Sequence, residues 1–484
     1  MPKTQHPTLH APAPPPPPLT PSPPLHLLPP TTFTPGPELL ISGYTCSFHV
    51  FPAAWPRSTP LAFFPADLRE RADESREERK TRIAHATEYI LDAKATYERD
   101  HPDASDDNKR VLWVTATRWV RNSSLGVRAT GDKNKDKTLL CTHANGFHGT
   151  TYMPIIQRLL ARRVDVAEVW ALDGVQHGDA ALLNAGQNGI YFDWHDMARD
   201  LLCFIQYYLP SDYTSDAMST VLPRIDGGSR RVHALGHSFG GCSLVLAAHH
   251  HPELFAALML VDAVIVPPQL DRAISRPPGW VAPDGTVSTG GYPSLPLYIT
   301  NTLGRRTRWP SRVAAHEALA AHPFFGSWDK DVLDVYVTQA LVESREGGEV
   351  RLKCDKEDEA AVYAERRASW EAWEVLPRLD RRVALLWIDP PAGDSVVQTR
   401  SIADARVQRR TVNTACVVIP EGTHLAVQTH PSQVAEAVNT FLHSVDAGAV
   451  GEVHELQVQD TEGAVVQHRS VAVLWRCSIY VIDL

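Results

Sequence analysis

Apolar positions change their period repeatedly along the chain, and the changes predict buried strands alternating with amphipathic helices. The run YTCSFHVFPAAW from Tyr44 reads as a first strand. Residues 66–100 are charged and helix-favouring, with Ile83, Thr87, Ile90 and Leu91 spaced for one apolar face. Val111–Val120 reads as a strand, Gly131–Lys137 as a hairpin-type turn, and Thr138–Thr142 and Glu168–Leu172 as buried strands. Residues 193–209 carry Met197, Leu201, Leu202, Ile205 and Tyr208 at helical spacing. An apolar run at Val232–Leu235, a glycine-flanked turn and a small-residue helix come next, then a strand at Ala256–Val261.

The alternation breaks over residues 266–376, which open on turn residues and continue as helices such as Arg312–Ala321 and Asp331–Glu343. It resumes with strands at Arg382–Trp387 and Ala415–Ile419 and a helix at Ser432–Val445. The predicted architecture is an α/β fold with a mostly parallel, doubly wound sheet, interrupted by a largely helical cap. The expected divisions are a proline-rich tail (1–37), the core in two parts (38–265 and 377–445), the cap (266–376) and a C-terminal extension (446–484).

Composition narrows the class. A hydrophobic share of 43% is enough to bury a sizeable core, and the net charge of −9 argues against nucleic acid or an anionic membrane as main partner. Seven cysteines, scattered and without a CxxC pair, suit reduced thiols. No apolar run is long enough to span a membrane and no secretory leader is evident, so the expected location is cytoplasmic. The tail, with five prolines from Pro14 to Pro18, is expected to be disordered because it buries too little apolar surface. His249–His251 closes a helix, where cations suit the C-terminal dipole, and a metal site there is the lesser reading. No cofactor or metal is called for, the expected partner is a small-molecule substrate, and oligomeric state is left open.

The chemistry concentrates at Gly236-His-Ser238-Phe-Gly240, a Gly-x-Ser-x-Gly pattern between a strand and a helix. Such a turn lifts a serine hydroxyl above the sheet at a helix N-terminus, with glycines where a Cβ would collide. His143-Ala-Asn145-Gly146 follows the strand at Thr138–Thr142, where backbone N–H groups can hold an oxyanion together with the N–H of Phe239. Gly422-Thr-His424 follows the last core strand, which makes His424 the candidate base. Two carboxylates compete as its partner. Asp262, ending the strand after the elbow helix, is preferred, and Asp394, in the loop after Arg382–Trp387, is the alternative.

The order Ser238, acid, His424 resembles the α/β-hydrolase superfamily. The segments HANGFHGTTYMPII, FDWHDMARDLL, LGHSFGGCSLVLAAHHHPELFAALMLVDAV and RRTRWPSRVAAHEAL resemble the fungal toxin-biosynthesis hydrolases and peroxisomal lipase-like hydrolases. The likeness implies a serine hydrolase of an ester, thioester or lactone, with a place in secondary metabolism. Members often end in a peroxisomal Ser-Lys-Leu-type signal, whereas this sequence reads Val481-Ile-Asp-Leu484. Dehalogenases and epoxide hydrolases attack through a carboxylate, so a serine at the elbow argues against both. A non-catalytic ligand-binding homologue and an acyltransferase on the same residues stay open. Trp280, Tyr292, Tyr298, Phe324, Phe325, Trp328 and Tyr336 of the cap either line an acyl pocket or form the cap's own core.

Overall fold

In the computed structural model, the described residues are 11–455 apart from 72, 101–107, 123–135, 164, 212, 215–216, 226–229, 269–294, 345–347, 366, 392–394, 396–399 and 452–453. The framework is a nine-stranded sheet in the order β1-β2-β4-β3-β5-β6-β10-β11-β12. Its strands are β1 (Tyr44–Pro52), β2 (Trp113–Arg121), β3 (Lys137–Thr142), β4 (Val166–Asp173), β5 (Val232–His237), β6 (Phe255–Val261), β10 (Ala384–Asp389), β11 (Thr414–Val418) and β12 (His454–Glu455). From β4 onward along that order every neighbouring pair is parallel, and β2 is antiparallel to both β1 and β4. This is the mostly parallel, doubly wound sheet that the sequence predicts.

The strands are apolar on both faces because both faces are covered. In β6, Leu258 and Leu260 join one core while Ala257, Met259 and Val261 join the other; in β10, Leu385 and Trp387 oppose Leu386 and Ile388. The first core takes in the helices α3 (Trp194–Tyr207) and α4 (Phe239–His250), and the second takes in α2 (Met153–Leu160) and α11 (Pro431–Asp446), while α1 (Arg76–Asp100) lies outside both. The period-2 alternation of the strands and the apolar stripes of the helices thus meet at two layers.

Two expectations change. The turn at residues 131–137 falls mostly outside the described residues, but β2 and β3 form no hairpin, since β2 pairs with β4 and β3 lies between β4 and β5. Local sequence gives a turn signal; only burial selects the partner strand. Residues 11–37 of the tail, expected to be disordered, lie with residues 38–43 against the body in short 3-10 turns. Leu28 and Leu39 are buried, the Trp119 Nε1–H donates to the Leu39 carbonyl at 2.7 Å, and Arg199 Nη2 donates to the Ala11 carbonyl at 3.1 Å. Proline makes this affordable, because its fixed φ leaves little backbone entropy to lose. Residues 1–10 of the tail lie outside the described residues.

Strands β6 and β10 are neighbours, and residues 262–383 run between them. The described part of this excursion contains α5 (Leu295–Gly304), α6 (Arg312–Ala321), α7 (Lys330–Gln339), α8 (Lys356–Ala364) and α9 (Arg367–Val375). It also holds a small antiparallel sheet, which the sequence reading missed, of β7 (Arg308–Trp309), β9 (Val350–Leu352) and β8 (Leu341–Glu343). Leu341–Glu343 had read as the end of a helix; it instead pairs with β9 and buries Leu341.

Candidate active site

Ser238 stands between β5 and α4 with φ 59° and ψ −123°, a conformation unusual for a residue with a Cβ. Close packing around the turn explains its glycines. A Cβ on Gly236 would lie 2.6 Å from Leu244 Cδ1, and one on Gly240 would lie 2.5 Å from the His143 carbonyl oxygen. The elbow is therefore pressed against the end of β3. Ser238 is held through its backbone, its N–H donating to Val261 O and its carbonyl accepting from the Val264 N–H, both at 3.1 Å.

Asp262 follows β6 and also has a positive φ, 35°. It is fully buried and reaches His424, whose Nδ1–H donates to Asp262 Oδ2 at 2.7 Å. Ser395 Oγ donates to the other carboxylate oxygen at 2.5 Å. Burial pushes the Asp262 carboxyl up, but the His424 hydrogen bond, the charges of His424 and Arg406 and the Ser395 hydroxyl outweigh it and hold the group below its ordinary value. Asp262 thus accepts from His424 as a carboxylate. Among the described residues no hydrogen bond joins Ser238 Oγ to His424. His237, next to the serine, donates from Nε2 to the His424 carbonyl at 2.7 Å, and the two rings are 5.1 Å apart. Asp394 lies outside the described residues, although Ser395 beside it touches Asp262.

Of the amides expected to face an oxyanion, that of Gly146, at φ 81°, stands 3.1 Å from His177 Nε2, a nitrogen that is also 2.9 Å from Asn145 Oδ1. The N–H of Phe239 opens α4 and so has no acceptor within the helix. His143 is structural: its Nδ1–H donates to Ala144 O at 2.8 Å and its Nε2 accepts from Gly174 N at 3.0 Å. Burial lowers its pKa to about 4, which keeps this tautomer neutral. Asp173, in the next loop, accepts from the Gly149 N–H at 2.7 Å and from Thr115 Oγ1 at 2.9 Å.

The excursion between β6 and β10 grips this segment. The Asn145 side-chain amide donates to the Glu359 carbonyl of α8 at 3.1 Å, and the Glu359 carboxylate is ion-paired to Arg305. Phe147 inserts among Trp328, Tyr336 and Phe325, at 5.5 Å and 6.3 Å from the first two rings. Trp328 and Tyr336 are buried, so these aromatics form the cap's own core, and Tyr298 stacks on Tyr363 at 5.4 Å. Trp280 and Tyr292 lie outside the described residues. A groove of about 610 Å³ between Pro15–Pro23 and Trp113, Tyr208 and Leu222 includes no residue of the elbow or of the Asp262 and His424 loops. Among the described residues no cluster of His, Cys, Asp and Glu is arranged to hold a metal, His249–His251 included, and no helix is long and apolar enough to cross a membrane.

Sequence reading missed Ser395, Arg406 and Asp389, all packed around Asp262. Ser395 had a faint signal in its adjacency to Asp394; the other two had none, since the sheet and a later helix bring them in.

An elbow serine, a buried Asp–His pair and paired amides on a doubly wound sheet define a class, and residues 139–437 match the alpha/beta hydrolase family. The chain belongs to that family and is a hydrolase. It is similar to the peroxisomal membrane protein LPX1 of Saccharomyces cerevisiae, 24% identical over 63% of this chain and 74% of the relative. It is 30% identical to the type I acyl-CoA thioesterase mpaH' of Penicillium brevicompactum, over 37% of this chain and 35% of that protein's length. The crystal structure of the peroxisomal alpha-beta-hydrolase Lpx1 from Saccharomyces cerevisiae shares the fold, with a TM-score of 0.54 at 17% identity over 84% of this chain and 91% of that one.

Proposed function

We propose that the chain is a serine hydrolase that cleaves an ester, thioester or lactone of a small apolar substrate through an acyl-enzyme on Ser238. The observation that carries this reading is the strained Ser238 elbow beside the Asp262–His424 hydrogen bond. His424 Nε2 removes the serine proton as Oγ attacks the carbonyl carbon, and Asp262 steadies the imidazolium that forms. The Phe239 and Asn145 N–H groups receive the oxyanion. Collapse of the tetrahedral intermediate expels the alcohol or thiol, protonated by His424. Water, activated by the same histidine, then releases the acid.

A thioester substrate draws support from the thioesterase relative, and a role in secondary metabolism rests on the resemblance to fungal toxin-biosynthesis hydrolases. The cap, by gripping Asn145 and Phe147, would set acyl specificity. The cytoplasm is our proposed compartment, tested by imaging a fluorescent fusion.

The test is intact-mass analysis after exposure to a fluorophosphonate. Wild type should gain one adduct, Ser238→Ala none, and Asp262→Asn should label at least 100-fold more slowly, as loss of a triad acid does elsewhere. Asp394→Asn should label at the wild-type rate. A folded wild type that never labels would replace this reading with that of a ligand-binding homologue.

A further inference from the structure

We infer that Arg406 and Asp389 form a positioning pair behind the Asp262–His424 couple, fixing the Asp262 turn and setting the charge that His424 experiences. This rests on the proposed role of His424 as base. Arg406, on α10 (Arg400–Gln408), is fully buried. Its Nη1 donates to the Ala263 carbonyl at 2.6 Å, its Nη2 donates to Asp389 Oδ1 at 2.7 Å, and the same nitrogen stands 4.0 Å from Asp262 Oδ1. The guanidinium lies over the Trp387 ring, 4.6 Å from its centroid.

Each contact has a consequence. Ala263 directly follows Asp262, so the Arg406–Ala263 hydrogen bond fixes the chain one peptide beyond the strained φ. Asp262 and Asp389 end adjacent strands β6 and β10, which brings two buried carboxylates to one guanidinium. A buried cation left without its carboxylate, or the reverse, is strongly unfavourable, so the three groups hold each other in place. Among the described residues, charged or titratable groups facing the cluster include His424, His237 from the end of β5, and Asp404 on α10 itself. Burial and the neighbouring Asp262 raise the Asp389 carboxyl to about 6 against the lowering by Arg406, while Asp262 is held low. Arg406 thus serves Asp262 as a permanent counter-charge, and Asp389 shares it.

The pair predicts opposed effects on His424. Removing the arginine leaves the imidazolium less repelled, so deprotonation requires higher pH; removing the Asp389 charge does the opposite. The experiment is the pH profile of fluorophosphonate labelling for wild type, Arg406→Met, Asp389→Asn and the double variant. The acidic limb should move up in Arg406→Met and down in Asp389→Asn, each by about one pH unit, since both charges act on the carboxylate that His424 shares. The double variant, which removes the Arg406–Asp389 ion pair as a unit and leaves Asp262 hydrogen-bonded to His424 and Ser395, should fold and return the limb close to wild type. Should rates fall with the limb unmoved in all three, Arg406 and Asp389 are structural only and the inference is overturned. Histidine NMR titration, with the His424 signals identified by subtraction of a His424→Asn spectrum, should carry the same opposed shifts even if Ser238 never labels. Absence of labelling would then sink the proposed function alone, whereas unmoved His424 titration would sink this inference.

Discussion

Ser238 and Asp262 are two of the three non-glycine residues at positive φ among the described residues, the third being Asn413, a type that tolerates this conformation. Strain of this kind costs about 1–3 kcal/mol per residue and persists only where surrounding structure enforces it. At Ser238 the enforcement is the packing of Gly236 and Gly240; at Asp262 it is the contacts of its neighbour Ala263 and of its own carboxylate. The strain makes a prediction. Ser238→Gly should raise stability by about 1 kcal/mol in a denaturant titration while abolishing fluorophosphonate labelling, because glycine occupies this region without penalty. Lower stability for Ser238→Gly would mean that the hydroxyl makes a contribution larger than the strain.

At the scale of elements, α9, in the excursion between β6 and β10, is tied to α3 through buried charge. His195, in the first turn of α3, stands between Asp193 (Nδ1 to Oδ1, 2.5 Å) and Glu371 of α9 (Nε2 to Oε2, 2.7 Å), and Arg367 of α9 donates to Asp193 at 2.6 Å. Burial opposes the imidazolium, but Asp193 and Glu371 outweigh it and raise the pKa to about 10. The folded protein therefore binds a proton that the unfolded chain releases near pH 6.5. Stability from this group is complete below pH 6.5 and is lost as pH rises toward 10. Chemical denaturation from pH 6 to 10 should show a downward slope in wild type that is flatter in His195→Gln. Equal slopes would show that the imidazole is neutral when folded. Because Glu371 lies on the cap side, the same loss should loosen α9 first, which hydrogen exchange would register.

At the scale of the whole molecule, residues 11–43 close over both layers of the fold. Leu39 joins the core that contains α2 and α11, and Leu28 packs with Val50 and Trp113. Leu39→Ala should cost about 2–3 kcal/mol, since a buried leucine is replaced by a cavity, yet leave the labelling rate of Ser238 unchanged. An unchanged unfolding midpoint would mean that the segment contributes nothing to the fold. The acid behind the histidine is likewise a property of the whole: β6, β10, β11 and α10 each deliver one group to it.

What the sequence determined by itself was local. Periodicity located most strands and the main helices of the core, and the Gly-x-Ser-x-Gly turn marked Ser238, because chain neighbours alone fix those patterns. His424 was legible from its place after a strand. Tertiary structure decided the rest. It brought Asp262 to His424, turned the Gly146 amide toward His177, and gathered Arg406, Asp389 and Ser395 around the acid. It also drew the proline-rich segment onto the body and assigned Trp328 and Tyr336 to the cap's interior. The physical reason is distance along the chain: Asp262 and His424 are 162 residues apart, and only the sheet order makes them neighbours. Hydrogen bonds and ion pairs act over a few ångströms, so which groups pair is settled by packing and burial.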